Sequence, residues 1–413
     1  MTIRTKTSKI ARVGTQAVQT MALGAVLSVV TAFSATAQPG RPSAQIAWHQ
    51  WSPSESVGRD SAAGVTGLSQ MAVPLSWRFG ATQRVSFDIA TAAARTQVTR
   101  RLGGVETNST LSGLTDTRVL LTATALDERL AVLVGANIPT GKTKLNAEEL
   151  IVLGTMAAPA VAAPVAAHGI GTSLTAGLSA TAPMGTWNIT GGVGYEQRQE
   201  FSPFYLADGV SSVSGTLAPG NVLTLSARLD GDIGDASVVL DGSVRQFDAD
   251  FFAVRSVQIS SSSTQGNYAE ANYRLGPIAN IALRVLPGGQ SARDLAFTAQ
   301  LQHRRPFESA PGVTLANSGA NLMSAGLAGT LTRRDAWRLG GGFEARRYTG
   351  IDADTSLVAA ALTEAVGSLQ FVFPLSRGEF ALTSALGIGT ITVPGRESVG
   401  ARRLTLRGEW RVR

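Results

Sequence analysis

Long stretches of this chain alternate between apolar and polar residues with a period of two. From Arg403 to Val412, leucine, glycine, tryptophan or valine occupies every second position, with arginine, threonine or glutamate in between. The same alternation recurs at 84–89, 223–230 and 337–346. A helix would spread the charges at a period of 3.6 residues, whereas alternate side chains of a strand point to opposite faces. The pattern therefore predicts strands with one apolar and one polar face, long enough to cross a membrane.

The connections between these strands alternate in length, which indicates a closed barrel. Short turns alternate with longer segments such as 95–114, 139–169, 200–219 and 349–364. Closure pairs every backbone group that lies in hydrocarbon. The predicted fold is all-β, a closed antiparallel transmembrane β-barrel of about 16 strands (about 14 if the weakest two are left out), with short periplasmic turns and long extracellular loops. The predicted strands lie near residues 43–51, 67–78, 83–94, 115–125, 130–138, 170–182, 186–199, 220–232, 236–247, 265–285, 292–304, 319–331, 336–348, 365–374, 379–391 and 398–412.

The first 37 residues read as a cleaved secretory signal peptide, followed by the barrel domain at 38–413. Four basic residues precede an apolar core within 18–32, and Ala35-Thr36-Ala37 forms a small-residue cleavage pattern. An uncleaved membrane anchor is the alternative, and the short apolar core disfavours it. Beyond residue 38 no run of 18 uncharged apolar residues occurs, which excludes a helical membrane protein.

The composition excludes several classes of function. The 413 residues include no Cys and only three His, so thiolate metal sites, disulfides and Cys nucleophiles are absent. Of the 36 basic residues, four lie in the predicted signal peptide, which holds none of the 29 acidic residues, so the remainder is almost neutral. No basic stripe with interleaved aromatic residues appears. We therefore expect no nucleic-acid partner, no metal and no cofactor.

The polar faces of the predicted strands must turn away from lipid and line the lumen. Both signs of charge are interspersed there, so the wall either surrounds water or is closed by ion pairs, and the sequence leaves both open. The predicted lumen-lining residues are Arg84, Asp88, Arg228, Asp230, Asp241, Arg245, Arg338, Glu344, Arg346, Arg403, Arg407 and Glu409.

Tryptophan placement supports a membrane setting. Trp77, Trp187, Trp337 and Trp410 all fall at strand ends beside short turns or near the C-terminus, where barrels carry an aromatic girdle at headgroup level. The alternative is that these rings anchor the core of a soluble sheet. A second girdle is expected at the long-loop ends, from Phe201, Phe204, Tyr205, Phe251, Phe252 and Tyr348.

One short stretch fits a loose phosphate-binding pattern. The run 136–143, Ala-Asn-Ile-Pro-Thr-Gly-Lys-Thr, follows a predicted strand. A phosphate loop needs a helix directly after it and a buried parallel sheet, whereas this sheet is predicted to be antiparallel and the chain to be exported away from ATP. We therefore expect no nucleotide site.

The same region carries a resemblance to a known family. Ser112-Gly113-Leu114-Thr115-Asp116 precedes one predicted strand, and Asn137-Ile138-Pro139-Thr140-Gly141 closes the next. These runs resemble the outer-membrane transporter family associated with phenol meta-pathway degradation, whose members often show Ser-Gly-Leu-Gly-Asp and Leu-Pro-Thr-Gly-Asp on consecutive strands. This chain departs from the pattern at Thr115, Ile138 and Lys142. The resemblance implies a barrel that passes small, often apolar or aromatic, compounds, and it implies no defined binding site.

An Ala/Pro-rich stretch at 157–167 is unusual for an exposed loop. It follows an amphipathic run at 147–153. Either this loop folds into the pore mouth or the outer leaflet and sets the constriction, or it packs as an apolar cap over neighbouring loops.

The function predicted is that of a channel in the bacterial outer membrane. Small molecules, apolar and aromatic compounds among them, would enter passively, with membrane lipid and these solutes as the partners. The alternative is a structural or surface-interaction barrel with a closed lumen. A barrel-wall hydrolase is less consistent with the sequence, because no Gly-x-Ser-x-Gly elbow follows residue 38 and His49, His168 and His303 are far apart, as rim or loop residues would be. No enzyme is expected, and the oligomeric state stays open.

Overall fold

A computed structural model describes residues 41–60, 63–82, 84–207, 211–259, 264–288, 295–310, 312–314, 318–334, 337–350, 361–376, 378–392 and 397–412. The predicted signal peptide lies outside these residues. The described helix is α1 (Ala147–Met156). The strands are β1 (Arg41–Pro53), β2 (Val57–Asp60), β3 (Ala63–Thr82), β4 (Val85–Leu102), β5 (Val105–Leu114), β6 (Thr117–Ala125), β7 (Leu130–Ile138), β8 (Ser173–Met184), β9 (Trp187–Arg198), β10 (Phe201–Ala207), β11 (Ser211–Ala218), β12 (Val222–Ile233), β13 (Ala236–Phe247), β14 (Ala249–Ile259), β15 (Thr264–Arg274), β16 (Ile278–Leu286), β17 (Ala296–Arg304), β18 (Glu308–Ala310), β19 (Val313–Thr314), β20 (Ala320–Arg334), β21 (Trp337–Thr349), β22 (Ala361–Leu375), β23 (Gly378–Thr392) and β24 (Val399–Val412).

Sixteen of these strands close into one antiparallel barrel. The last strand, β24, pairs with β1, and β1 pairs on its other side with β3, which joins the two ends of the sheet. The predicted fold class is confirmed. Around the wall the order is β1, β3, β4, β6, β7, β8, β9, β12, β13, β16, β17, β20, β21, β22, β23 and β24.

Short turns join neighbouring strands at one end of the barrel. In the β8–β9 and β12–β13 turns, Gly185 and Gly234 have φ values of 65° and 58°, a left-handed conformation that glycine adopts without a steric penalty. The first and last wall strands meet at the same end, where Ser43 lies opposite Arg411. An even number of strands requires this arrangement, so the turn end corresponds to the periplasmic side of an outer-membrane barrel.

At the opposite end, the long connections continue as strands beyond the wall. Strand β4 extends to Leu102 and pairs with β5, while β10, β11, β14, β15, β18 and β19 form a second sheet of six strands. The long connections therefore lie opposite the short turns as predicted, and those at 95–114 and 200–219 consist largely of hairpin strands rather than irregular loop. Hairpins form there because they pair backbone groups that an irregular loop would leave to water. Most of the predicted loop at 349–364 lies outside the described residues.

The single strand predicted at 265–285 is two strands that belong to different sheets. Strand β15 joins the second sheet, and β16 joins the barrel wall. The break falls at Gly276-Pro277, because Pro277 has no N–H to donate to a ladder. Glycine is also needed there, since a Cβ on Gly276 would lie 2.1 Å from the carbonyl oxygen of Arg305.

The outer face of the wall is an apolar belt. Large apolar side chains that would be buried in a soluble protein are exposed on it, and their strand partners share the same face. No helix in the described part of the chain is long and apolar enough to span a membrane. An apolar outside and a polar inside are the arrangement of bacterial outer-membrane barrels. Belt residues include Ile46, Met71, Val132, Leu178, Val193, Leu223, Leu225, Leu240, Ile281, Leu301, Met323, Leu327, Phe343, Leu369, Leu382, Leu404 and Leu406.

Replacing one belt residue by a charge tests which face meets lipid. Leu225→Arg places a guanidinium on the outer face of β12, at a cost of roughly 2–4 kcal/mol near the bilayer midplane. Ser226→Arg is the matched control, because Ser226 is the next residue on the same strand and is exposed on the inner face. We expect urea titration of folding into lipid vesicles to show the loss for Leu225→Arg alone. Equal losses for both variants would contradict a lipid-facing belt.

Candidate functional site inside the barrel

The connection between β7 and β8, residues 139–172, runs inside the barrel, and we call it the inner segment. Two buried side chains on the inner wall hold its backbone. Gln70 donates from Nε2 to the carbonyl oxygen of Val165 and accepts from the Val165 N–H, each at 2.8 Å. His49 donates from Nε2 to the carbonyl oxygen of Val161 at 3.1 Å. The Ala/Pro-rich stretch therefore lies against the inner wall.

The helix α1 opens the inner segment and is capped within the segment itself. Asn146 accepts from the backbone N–H of Glu149 at 2.9 Å, and Glu149 accepts from the N–H of Asn146 at 3.1 Å, which completes a capping box. The Lys142 ammonium pairs with the same Glu149 carboxylate. The cap satisfies two backbone donors near the helix start, where N–H groups lack intrahelical partners.

An apolar core joins the inner segment to the wall at the long-loop end. The buried residues of the segment are Leu145, Leu150, Val152, Leu153, Met156, Ala158, Ala160, Val161 and Val165. The wall and hairpin residues of the same core include Trp51, Leu68, Ala72, Ala92, Ala94, Val98 and Leu111. Full burial of one large aliphatic side chain stabilises by about 1.5–3 kcal/mol. The segment is therefore a packed part of the barrel interior.

The two motif runs that carry the family resemblance meet at Asp116, at the base of the inner segment. Asp116 Oδ1 accepts from the N–H of Gly141 at 2.9 Å, and Oδ2 accepts from the N–H of Ile170 at 2.8 Å and from Asn137 Nδ2 at 2.9 Å. Asn137 also donates to the carbonyl oxygen of Gly171 at 2.6 Å. One carboxylate thus ties the start of the inner segment to its end.

Gly141 is required by this close approach. A Cβ there would lie 2.1 Å from the carbonyl oxygen of His168 and 2.8 Å from Asp116 Oδ1. The adjacent Thr140 hydroxyl donates to the carbonyl oxygen of Thr115 at 2.8 Å. Residues of the loose phosphate-binding pattern at 136–143 make these contacts within the protein. The next helix begins only at Ala147, so no helix start directly follows the pattern.

Of the three histidines, His303 and His168 occupy the rim and loop positions expected of them, whereas His49 does not. His49 is fully buried on the inner wall, where Thr405 Oγ1 lies 3.0 Å from its Nδ1. His168 is buried in the inner segment, and burial lowers its pKa. His303 Nδ1 lies 2.7 Å from Asn321 Oδ1 at the long-loop end. Among the described residues, no group of three or more His, Cys, Asp or Glu is placed to hold a metal ion.

The charged residues predicted for the lumen lie mainly on the inner face of the wall. Arg84 differs: it sits exposed in the turn before β4, because the strand begins one residue later. The side chains on the inner face, opposite the apolar belt in the strand register, are Asp88, Arg228, Asp230, Asp241, Arg245, Arg338, Glu344, Arg346, Arg403, Arg407 and Glu409.

A buried ion triad forms on the inner wall near the inner segment. Glu364 Oε2 accepts from Arg346 Nη2 at 2.8 Å and from Arg403 Nη2 at 2.9 Å. Gly387 lies beside this carboxylate, and a Cβ there would approach Glu364 Oε1 to 2.0 Å. Glu364 is not among the residues predicted for the lumen, because the alternation predicts a strand from residue 365, whereas the strand begins at Ala361. Removing one partner of such a pair typically costs about 3–5 kcal/mol.

Toward the turn end the side chains of the inner wall are more exposed, and the ion pairs between them are weaker. Arg228 lies 3.2 Å from Asp230 and 3.8 Å from Asp241, and the three side chains are 37%, 31% and 46% exposed. Exposed pairs of this kind contribute about 0–1 kcal/mol. Arg284 and Arg407 are exposed on the same inner face. The interior is therefore filled at the long-loop end and accessible to water at the turn end.

A cavity remains between the returning limb of the inner segment and the wall. One side is formed by residues 167–171, and the other by the inner faces of β8, β9, β12 and β13 together with the start of the second sheet. Its polar lining includes Glu196, Arg198, Arg245 and Asp250, of which the sequence identified only Arg245. Glu196 and Arg198 follow the alternation of β9, so the period of two on that strand predicts both of them on the inner face.

The four tryptophans predicted for the girdle all lie at the turn end of the wall. Trp77 and Trp410 are exposed on the outer face, the Trp187 ring lies over Gly231, and the Trp337 ring lies 5.8 Å from the Arg334 guanidinium. The second girdle does not form as expected. Phe204, Phe252 and Tyr348 are buried in the core at the long-loop end.

Asp116→Asn tests the fastening of the inner segment. The substitution exchanges one acceptor oxygen for a donor that faces N–H groups, which costs about 1–3 kcal/mol per unsatisfied buried group. We expect faster hydrogen exchange across residues 139–172 and little change in the wall strands. Asp127→Asn, in the β6–β7 turn, is the control and should leave the exchange unchanged. Unaltered exchange in Asp116→Asn would contradict the anchoring role.

His168 makes the segment sensitive to acid. Its folded pKa lies below the ordinary 6.5, so the folded chain binds fewer protons than the unfolded chain, and stability is lost as the pH falls below that value. We expect the unfolding temperature in detergent to drop between about pH 7 and about pH 5. In His168→Gln the drop should be smaller, because the variant residue does not titrate. An identical drop in both proteins would assign the effect to other groups.

Comparisons with known proteins give likenesses to solved structures only. No family model matches the sequence, and no curated protein matches it. The low-pH structure of Pseudomonas putida OprB is similar at 10% identity, over 90% of this chain and 92% of that chain, with a TM-score of 0.44. Pseudomonas aeruginosa OccK1 (OpdK) is similar at 10% identity, over 90% and 98%, with a TM-score of 0.43. The CymD monoaromatic hydrocarbon channel is similar at 9% identity, over 91% and 89%, with a TM-score of 0.37. At TM-scores this low, the likenesses assign neither a family nor a function.

Proposed function

We propose that this protein is an outer-membrane channel for the passive uptake of small molecules, apolar and aromatic compounds among them. The observation that carries the proposal is the uneven filling of the interior. The inner segment narrows one end through apolar packing, while charged side chains such as Arg284 and Arg407 stay exposed on the inner face toward the other end. A narrowed but wet lumen is what a size- and charge-filtering channel needs.

The proposed location follows from the two faces of the wall and from the start of the chain. The apolar belt suits hydrocarbon, and the polar inner face suits water. Residues 1–37 would direct export and be removed, leaving 38–413 as the barrel. Tryptophans 77, 187, 337 and 410 would then form the periplasmic girdle.

The proposed solutes follow from the constriction. A solute that passes the inner segment meets apolar side chains on one side and, on the other, the charged residues we propose as lumen lining, Arg245 among them. The resemblance to the phenol meta-pathway transporter family points the same way. Its motif residues, Asp116 and Gly141 in this chain, fasten the base of the segment that would set the constriction.

A structural barrel with a closed lumen is the competing function. The observation in its favour is that the inner segment is fastened on both sides, by Gln70 and His49 on the wall and by Asp116 at its base. Single-channel recording in planar bilayers, together with liposome swelling in sugars and aromatic solutes, separates the two. Liposome swelling without measurable current would support a route for apolar solutes. The absence of both swelling and current would support the closed barrel.

Releasing the inner segment should widen the channel. Gln70→Ala removes both hydrogen bonds to Val165, so we expect larger or noisier single-channel conductance than in the unsubstituted protein. Gln300→Ala is the matched control, because Gln300 lies on the inner face of β17 and donates to Asn280 on the neighbouring wall strand. Unchanged conductance in Gln70→Ala, or an equal change in both variants, would argue against the segment as the constriction.

A further inference from the structure

The cavity beside the inner segment contains an arginine whose hydrogen-bonding edge is unused. Arg198, the last residue of β9, has its Nε and Nη2 atoms buried without a hydrogen-bond partner among the described residues. Its backbone N–H donates to Asn221 Oδ1 at 3.1 Å, and its guanidinium lies 5.9 Å from the centre of the Phe247 ring. Buried donors are normally satisfied, so an unsatisfied pair that lines a cavity calls for an explanation.

The identity of the two free atoms specifies the missing partner. Nε–H and one Nη2–H of a guanidinium point in parallel along the same edge of the plane, and this fork matches the two oxygens of a carboxylate. A neutral hydroxyl would satisfy only one of the two donors. A cation would be repelled by the guanidinium.

The cavity lining carries charged side chains of both signs. Arg198 and Arg245 both line it, and the two guanidinium groups interact with each other and with Glu196. The fourth charged residue, Asp250, accepts from the Gly220 N–H at 2.6 Å, and burial raises the pKa of its carboxyl group. Arg198 also interacts electrostatically with Asp250, yet its Nε and Nη2 atoms remain without a hydrogen-bond partner among the described residues.

The rest of the lining is apolar and partly aromatic. Phe201, Phe247 and Tyr273 contribute rings, and Leu217 and Val222 contribute aliphatic walls. Gly171 keeps the inner segment close to this lining, because a Cβ there would lie 2.7 Å from the Phe201 ring. A ligand with a flat apolar body and one acidic group fits both parts of the cavity.

We propose that this cavity is a binding site for small aromatic carboxylates, with the carboxylate held by the Nε and Nη2 edge of Arg198 and the ring packed among Phe201, Phe247 and Tyr273. Binding itself requires only the folded barrel. That the site serves selective uptake rests on the proposed channel function, in which it would be a stopping point for acids beside the constriction.

Calorimetric titration of the purified, folded full-length chain in detergent tests the site. Benzoate is the probe, with benzyl alcohol and acetate as ligands that lack the charge or the ring. We expect saturable benzoate binding, and binding of the other two at least about ten-fold weaker. Arg198→Gln should weaken benzoate binding at least about ten-fold, and Arg198→Lys should fall between, because an ammonium lacks the fork. Arg84→Gln, in an exposed turn at the other end, should bind as the unsubstituted protein does.

Three results would overturn the site: no benzoate binding at millimolar concentrations, equal binding by the Arg198→Gln variant, or acetate binding as tight as benzoate. If Arg198→Gln does not fold, as judged by its electrophoretic migration before and after heating, the same criteria are applied to Arg198→Lys. Conductance recorded from the same preparation keeps the two ideas apart. A conducting protein that does not bind benzoate refutes the site alone, and a protein that binds benzoate without any flux refutes the channel alone.

Discussion

The pairing of backbone polar groups within lipid is the constraint on which the structure depends. An N–H or C=O left unpaired in hydrocarbon costs several kcal/mol, so a sheet with free edges cannot span a bilayer. Pairing of β24 with β1 removes those edges. Once the wall is closed, each strand has one face toward lipid and one toward the lumen, and the two-residue period of the sequence follows. The sorting of short turns and long connections follows as well, since consecutive strands run in opposite directions.

Closure also leaves space to be filled, because a barrel of sixteen strands has an interior that its own side chains do not fill. The inner segment fills this space at the long-loop end. Chain placed inside a wall must satisfy its own polar groups, and here a capping box, the Asp116 carboxylate and the side chains of Gln70 and His49 do so. The apolar core then fixes the segment in place. The inner wall beside the segment consequently combines apolar packing with buried ion pairs, whereas its charged side chains toward the turn end are exposed, a difference along the barrel axis that a period of two does not reveal.

The sequence predicts the wall well and the interior poorly, for a physical reason. Strands such as β7 and β13 are identified to the residue because alternation is a local signal. The hairpins at 95–114 and 200–219 lie beyond the membrane, where both faces meet mixed surroundings and the alternation fades. The Arg346–Glu364–Arg403 triad and the contacts of Asp116 join positions that only the register of distant strands brings together. A short motif marked the Asp116 region, yet nothing local shows that its carboxylate binds both ends of a segment.

The interior treats its buried guanidinium groups in two ways. Arg346 and Arg403 share the Glu364 carboxylate through their Nη2 atoms, and Gly387 leaves room for it, so this part of the wall is arranged around its ion pairs even though Arg346 Nε has no hydrogen-bond partner among the described residues. Arg198 has a cavity where such a carboxylate would sit. Leaving a buried donor edge unsatisfied costs stability, and a chain that supplies a carboxylate to one arginine pair has the means to supply another. This difference between the two arginine sites is the reason why we propose the carboxylate site at Arg198 rather than at the triad.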